Sequence, residues 1–480
     1  MVFLMDALLP NEVPACHALI LQLQAQVRLL TRQVATLTQQ VATLEARLNQ
    51  NSQNSSQPPS ADGYKKQPAF PKTSKKVRGG QIDHDGDTLA LVRNPDQVVT
   101  HAPQECPCGA DLTQVPATLT GRRQVFDLPQ PRLEVTEHQQ LSCTCPACGR
   151  LASGVFPEAV PARAQYGPGV RALVTLLNVG YKVPVQKVSQ LFHDLFGYEL
   201  HGQSVVNAGA FVYDQLAAGE AVIKKQLLES AVAHVDETGL RVAGKLHWLH
   251  TFSSPLATYL FIHEKRGEGA IGSAKSLLPE YEGWVIHDCW SSYFKYGKCR
   301  HGLCGAHLLR ELRALEEKPW ERAWAGCFRR YLLALYRLTE KGRGALGEEW
   351  RELVEGHFEA YLKLGEAEEP ERERGASGKG RGKGTPGRNL LERLRKYRGE
   401  VLAFVWHAEV PFTNNQAERD LRPAKTKQKV SVCLRTVVGA ERYARIEGFL
   451  ATARKQGEEV FQELRRACEG ESFLTHPQRC

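Results

Sequence analysis

Between residues 20 and 48 apolar side chains recur at alternating steps of three and four. Ile20, Val27, Val34, Val41 and Leu48 take one position, and Leu23, Leu30, Leu37 and Leu44 the other. A period of 3.5 held over four heptads belongs to a long helix with a narrow seam, not to the broad face of a helix packed on its own domain. β-branched residues at a with Leu at d favour a parallel two-stranded coil. At ~1.5 Å per residue the coil would be roughly 43 Å long. Residues 1–50 are therefore expected to be an oligomerisation helix, and the chain a homodimer.

The next segment, "NQNSQNSSQPPSADGYKKQPAFPKTSKKVRGG", is polar and rich in Pro and Ser, then basic. It cannot bury a core and reads as a flexible linker over 51–90. Its Lys65, Lys66, Lys72, Lys75 and Lys76 can touch phosphates or merely solubilise the chain. The 480 residues leave room for two or three domains. Sixty-two Lys and Arg against 53 Asp and Glu give a net charge of +9, and basic clusters suggest nucleic acid as partner. No apolar run reaches the ~18 residues of a membrane span. "MVFLMDALLPNE" lacks the basic region and cleavage site of a secretion signal. The expected compartment is the bacterial cytoplasm, in association with the nucleoid.

Of thirteen cysteines, five crowd between Cys106 and Cys148. That is the pattern of one metal site in a reducing compartment, not of a disulfide framework. "CPCGADL" and "CTCPACGR" are two knuckles, each followed by Gly where a tight turn is needed. Cys106, Cys108, Cys145 and Cys148 are expected to hold one structural Zn²⁺ in a zinc ribbon spanning 91–152. The alternation in "RRQVFDLPQPRLEVTEHQQLS" suggests a hairpin between the knuckles. Cys143 is a spare candidate, and buried free thiols are the alternative.

Residues 153–228 read as a helical domain. The break "FGYELHGQS" before Gln203 fits a helix-turn-helix, and a plain helical packing unit fits equally. Residues 231–290 change character, to three strands with turns at Thr238-Gly239 and Ser253-Pro255 and a buried fourth, "GWVIHDCW". Residues 300–400 read as a charged helical insertion containing a basic loop, "RERGASGKGRGKGTPGR". "RYARIEGFLATARKQG" reads as a last amphipathic helix, and 458–480 as a tail.

Two apolar runs each end in an acid, "AVAHVD" in Asp236 and "GWVIHD" in Asp288. Ligands of α/β sheets collect at such strand ends. Two carboxylates on neighbouring strands repel unless a cation lies between them, and Mg²⁺ suits oxygen ligands of this kind. A third acid, Glu418, follows three amides in "TNNQAERDLRPAKTKQKVS". Thr413 or Asn414 can cap a short helix there, and Pro423 would end it. Glu418 would face the sheet, with Asp420 roughly 200° further round the helix. Glu237, beside Asp236 on a strand, would face the other side. Arg419, Arg422, Lys425, Lys427 and Lys429 would meet a DNA backbone. Two Mg²⁺ ions on three carboxylates can activate an attacking oxygen and stabilise a leaving one.

The chain resembles transposases of the insertion-sequence-66 family from end to end. "NSSQPPSADG", the two knuckles, "HVDETGLRV", "HDCWSSYF", "CGAHLLREL" and "PFTNNQAERDLRPAKTKQKVS" carry the likeness. The resemblance implies a multidomain α/β protein with a ribonuclease H-like catalytic core over 229–457 and a DDE triad of Asp236, Asp288 and Glu418. It implies Mg²⁺-dependent cleavage and joining of DNA at the ends of an insertion sequence, with accessory proteins of the same element as further partners. Cys304 and His307 resemble a Cys/His motif of several DDE families, and the bland reading is a core cysteine and a helix histidine. Two positions depart from the family. It often carries a large residue where Gly305 stands, and usually Ser-Gly where this chain has Ser431-Val432. A regulator derived from a dead transposase would keep the coil and ribbon but need no acids. A nuclease acting on junctions or RNA–DNA hybrids would share the chemistry but not the end-binding modules.

Overall fold

Helix α1 (Val13–Leu48) runs unbroken through the heptads. Leu23, Val27, Leu30, Val34, Leu37 and Val41 are 50–61 % exposed along it. The computed structural model describes residues 13–48, 89–317, 323–342, 344–371, 384–471 and 474. The linker lysines, and residues 372–383 of the basic loop, lie outside the described residues. No described helix is long and apolar enough to cross a membrane.

The chain divides into two compact units. One comprises residues 66–163 and 190–200. Between 89 and 163 no residue is buried. Among the described residues its only sheet pairs β1 (Ser142–Thr144) with β2 (Leu151–Ser153), Cys143 opposite Ala152. The hairpin expected between the knuckles is therefore wrong. The two strands flank the second knuckle, because the tight turn at Cys145–Gly149 brings its own ends together.

The other unit holds the hydrophobic core. Helices α2 (Pro168–Thr175), α3 (Val185–Phe196), α4 (Gly202–Gln215) and α5 (Ala217–Leu228) come first, with a wide-turned π segment over Leu176–Gly180. A five-stranded mixed sheet follows, ordered β5-β4-β3-β6-β7. Its strands are β3 (Val232–Val242), β4 (Lys245–Ser253), β5 (Thr258–His263), β6 (Trp284–His287) and β7 (Arg300–Leu303). β3, β4 and β5 are antiparallel; β6 and β7 join β3 in parallel.

Three expectations change here. Thr238-Gly239 is not a turn. It lies inside β3, and the hairpin turns at Ala243-Gly244, where both residues have positive φ (48° and 77°) as two-residue hairpins of the I′ type require. Asp236 is consequently inside a strand rather than at its end. β7 is a fifth strand, lying where only helix was expected, and short enough that the charged helices after it masked its signal.

Beyond the short helix α6 (Glu268–Ile271), helices α7 (Gly305–Glu316), α8 (Ala323–Gly342), α9 (Arg351–Glu368), α10 (Pro386–Lys396) and α11 (Arg398–Trp406) build a second core on β6 and β7. β6 is buried at all four residues and feeds both cores. Val285 enters one, and Trp284 and Ile286 the other, as strand alternation dictates. Gly305 opens α7 in contact with the Phe412 ring, which lies 2.2 Å from where a Cβ would stand. Phe412 thus fills the space in which a large residue was expected at 305.

α12 (Asn415–Ser431), α13 (Val437–Lys455) and α14 (Val460–Cys468) close the fold. α12 continues through Pro423 instead of stopping there. Leu421 and Ala424 are buried and the helix packs on β3 and β4, which outweighs the hydrogen bond that proline removes. α13 is not the last helix, and it is buried around most of its surface because it lies on β5. The supposed tail forms α14, whose Leu464 and Ala467 enter the core.

Val432 ends α12 at φ 58°, ψ −56°, with the Cys433 N–H donating to the Ser431 carbonyl at 2.6 Å. This is a tight three-residue turn of the rare, strained kind. It delivers Leu434 onto β3, where Leu434 N–H donates to Arg241 O at 2.9 Å and Ala243 N–H to Leu434 O at 2.8 Å. A β-branched residue pays for that φ and glycine does not. Val432→Gly is expected to stabilise the protein by about 1 kcal/mol, read as a higher denaturant midpoint. An unchanged or lower midpoint would show that the turn is unstrained.

Candidate active site

β3 pairs with β6 only as far as His234 opposite Ile286. Two residues beyond that last pair stand Asp236 and Asp288, at equal height where the two strands part. Asp236 Oδ1 accepts from the Glu237 N–H at 2.8 Å, and Asp288 Oδ1 from the Trp290 N–H at 3.1 Å. Cys289, between Asp288 and Trp290, is held at φ 66°. A non-glycine residue in that region is strained, and such strain concentrates at functional sites.

Glu418 lies in the first turn of α12, near enough to act on Asp236. Asn414 stands before that turn, but its side chain does not cap the helix. Instead Nδ2 donates to Val235 O at 2.8 Å and Oδ1 meets His234 Nδ1 at 2.9 Å. Its backbone N–H donates to Cys304 Sγ at 3.1 Å. One buried amide therefore ties the start of α12 to β3 and to the residue before α7. That placement brings Glu418 towards Asp236 across 182 residues of chain.

The electrostatics report the grouping. Burial pushes Asp236 up to about 8, the adjacent Glu237 adds to this, and Asp288 and Glu418 raise it further. His307, on α7, is pushed down by burial and by Arg310, while Asp288 and Glu418 oppose the change. Arg310 lies 3.8 Å from Glu418. Asp236, disfavoured as an anion by burial first, then by Glu237, and less by Asp288 and Glu418, has the chemistry a hard divalent cation would relieve. Among the described residues no three His, Cys, Asp or Glu side chains stand close enough together to hold one ion.

Glu237 has a task of its own. It is buried, accepts from Arg266 Nε at 2.8 Å and from the Tyr293 hydroxyl at 2.5 Å. Arg266 in turn lies over the rings of Trp248 and Trp290. Asp420 turns to β5 and α13, accepting from Lys455 Nζ at 2.7 Å and Thr258 Oγ1 at 3.0 Å.

Of the five cations after Glu418, Arg419, Arg422, Lys425 and Lys429 are exposed. Lys427 is not. It is buried and donates to Asn178 O of the π segment at 3.2 Å, which withdraws it from any external phosphate. Its place on the inner face follows from Leu421 and Ala424, six and three residues earlier.

The cysteines are brought together in pairs. Cys106 meets Cys108, and Cys145 meets Cys148, while Cys143 is exposed on β1. Each knuckle closes on a tight turn, with Gly109 N–H on Cys106 O three residues back and Gly149 N–H on Cys145 O four residues back, each at 2.8 Å and each glycine at positive φ. The Ala110 N–H above all holds Cys108 below the usual thiol range, and the Ala147 N–H does so for Cys145. Backbone amides aimed at sulfur suit thiolate ligands of zinc. The four thiols do not form a single cluster.

Arg310 escaped the sequence reading, which took Asn414 only as a possible helix cap and Glu237 only as a residue facing away. Asn414 carried a signal, standing in a run of amides beside a candidate acid. Arg310 carried one too, three residues from His307 on one helix face.

Sequence comparison places the chain among DNA-acting transposases. Residues 163–442 match the Transposase IS66 family, and the chain belongs to that family. Residues 103–149 match the zinc-finger binding domain of transposase IS66. Residues 11–90 match a family of unknown function, DUF6444. No curated protein matches the chain.

Proposed function

We propose that this transposase cuts and joins DNA at the ends of its own insertion sequence, using Asp236, Asp288 and Glu418 as a DDE triad on a ribonuclease H-like core. The observation that supports the reading is the register that leaves Asp236 and Asp288 two residues past the last β3–β6 pair, with Glu418 near enough to act on Asp236. The strand order, an antiparallel trio extended by two parallel strands, supports the assignment of fold. Two Mg²⁺ ions held there would polarise the scissile phosphate and stabilise the attacking and leaving oxygens. In cleavage a water oxygen bonds to phosphorus and the P–O3′ bond breaks, freeing a 3′-hydroxyl. In joining that hydroxyl attacks a target phosphate and displaces another 3′-oxygen. Asn414 fixes the height of Glu418, and the strained Cys289 sets the direction of Asp288. Arg419, Arg422, Lys425 and Lys429 lie along one helix for contact with the DNA backbone. Cleavage of labelled element ends by acid-to-amide variants, with binding measured in parallel, tests the reading. Normal cleavage by all three variants would remove these acids from the chemistry, and absence of cleavage by the wild type would leave the reading as a DNA-binding regulator.

Cys106, Cys108, Cys145 and Cys148 would hold one Zn²⁺, drawing together two knuckles in a segment without a buried core. Purified protein is expected to contain one zinc per chain and the Cys145→Ser variant far less. Full zinc in that variant, measured by elemental analysis, would exclude Cys145 as a ligand.

The exposed seam of α1 would pair with a second copy in a parallel coil, which suits a complex that must bring two DNA ends together. Val34→Asp with Leu37→Asp should give monomers, since it buries charge in the seam. A dimer persisting in sedimentation would place the main interface elsewhere. α3 and α4 serve as the helix-turn-helix, the protein works on nucleoid DNA in the cytoplasm, and accessory proteins of the element complete its partners.

A further inference from the structure

Besides Arg310, the acidic and basic residues of α7 are Glu311, Arg313 and Glu316, and each has a partner. Glu311 pairs with Arg393. Glu316 pairs with Arg329 at 2.7 Å, and Arg313 with Glu317 at 3.3 Å. Arg310 is different. Its one ion pair among the described residues is with Glu418, at 3.8 Å, which is too long for a hydrogen bond. Both side chains are about one quarter exposed, 26 % and 24 %. An ion pair this long and this wet contributes at most about 1 kcal/mol. It does not account for a guanidinium held beside Glu418 without a hydrogen bond to it.

His307 stands three residues earlier on the same helix face. Its Nδ1 is sealed from solvent and has no hydrogen-bond partner among the described residues. A cation 3.8 Å from Glu418 and a buried, unpaired ring nitrogen that Asp288 and Glu418 both influence therefore stand together on α7. A metal ion at those carboxylates would repel a guanidinium so close to Glu418. The arrangement becomes favourable when an anion lies between the two positive charges, and a phosphodiester is the anion this reaction supplies.

We propose that Arg310 is a further catalytic residue, holding a non-bridging oxygen of the scissile phosphate beside the carboxylate site. The proposal rests on the carboxylate reading above. Without DNA the guanidinium stays by Glu418; with DNA it turns to the phosphate, and its charge offsets the negative charge that grows there in the transition state.

The test uses the full-length protein with Arg310→Gln, Arg310→Lys and Glu418→Gln. Mn²⁺ alone, followed by electron paramagnetic resonance, should bind Arg310→Gln at least as tightly as wild type and Glu418→Gln more weakly. A duplex spanning the junction of element end and flank is then made with one neutral methylphosphonate at the scissile position. With Ca²⁺ to prevent turnover, that change should weaken binding by the wild type about tenfold and leave Arg310→Gln unaffected. Cleavage by Arg310→Gln should fall by about 10² or more, with part restored by Arg310→Lys. An equal methylphosphonate effect in wild type and Arg310→Gln overturns the proposal alone, as does loss of Mn²⁺ binding by Arg310→Gln. Wild-type Mn²⁺ affinity in Glu418→Gln overturns the carboxylate reading, and the proposal with it.

Discussion

Glu418→Gln should bind element ends as wild type does and cleave them slower by about 10² to 10⁴. The substitution keeps the size of the side chain and the helical turn that Asn414 anchors. It removes one negative charge from the proposed triad with Asp236 and Asp288. Asp236→Asn and Asp288→Asn should behave alike, because losing any one of three shared ligands misplaces the cations that the other two retain. The measurement is a cleavage assay in Mg²⁺ beside a binding assay in Ca²⁺. Equal losses of binding and cleavage would mean that Glu418 serves the fold. Normal cleavage would remove it from the chemistry.

Asp420 cannot be the neutral control that its distance round the helix suggested. Its carboxylate and the Lys455 ammonium form an ion pair in which the side chains are 9 % and 12 % exposed. Lys455 Nζ also donates to Ser254 O at 2.8 Å, Ala257 O at 3.1 Å and Thr258 Oγ1 at 2.6 Å. Lys455→Met strands a buried carboxylate and leaves two buried carbonyls without this donor. We expect a loss of about 3–5 kcal/mol, seen as a lower denaturant midpoint. Asp420→Asn still accepts from Lys455 and should lose less. Adding Asp420→Leu to Lys455→Met should recover part of the loss, because the uncompensated charge disappears while the carbonyls stay unpaired. A wild-type midpoint for Lys455→Met would mean that solvent reaches this pair. The folded fraction of Asp420→Asn should keep its cleavage rate, which separates the two acids of α12 by mechanism.

The features legible in the sequence were those that depend on neighbours along the chain. A 3.5-residue period requires a helix at α1 whatever surrounds it. Paired cysteines before glycine require tight turns, and both turns are present. Apolar runs that stop at Asp236 and Asp288 marked two strands, although β3 runs on past the first of them. Where the signal depended on partners far away, the reading failed. Pro423 announced the end of a helix, and packing on β3 and β4 overrode it. Ser431-Val432 gave no sign that a valine would be forced to positive φ, because that strain comes from docking Leu434 on β3. β7 is four residues long and is a strand because β6 offers it an edge.

By itself, then, the sequence determined the elements, the chemical types of the candidate ligands and the family. Tertiary structure alone decided which of those residues share a place. Glu418 and Asp420 sit two residues apart with the same charge. One faces Arg310 and the open carboxylate site, and the other is sealed against Lys455. Lys427 and Lys429 differ by two residues on a basic helix, and one of them is buried. The physical reason is that conformational period is set over a few residues, whereas burial and pairing are set by surfaces contributed from hundreds of residues away. A charge becomes a ligand, a strut or a contact for DNA only when those surfaces meet it.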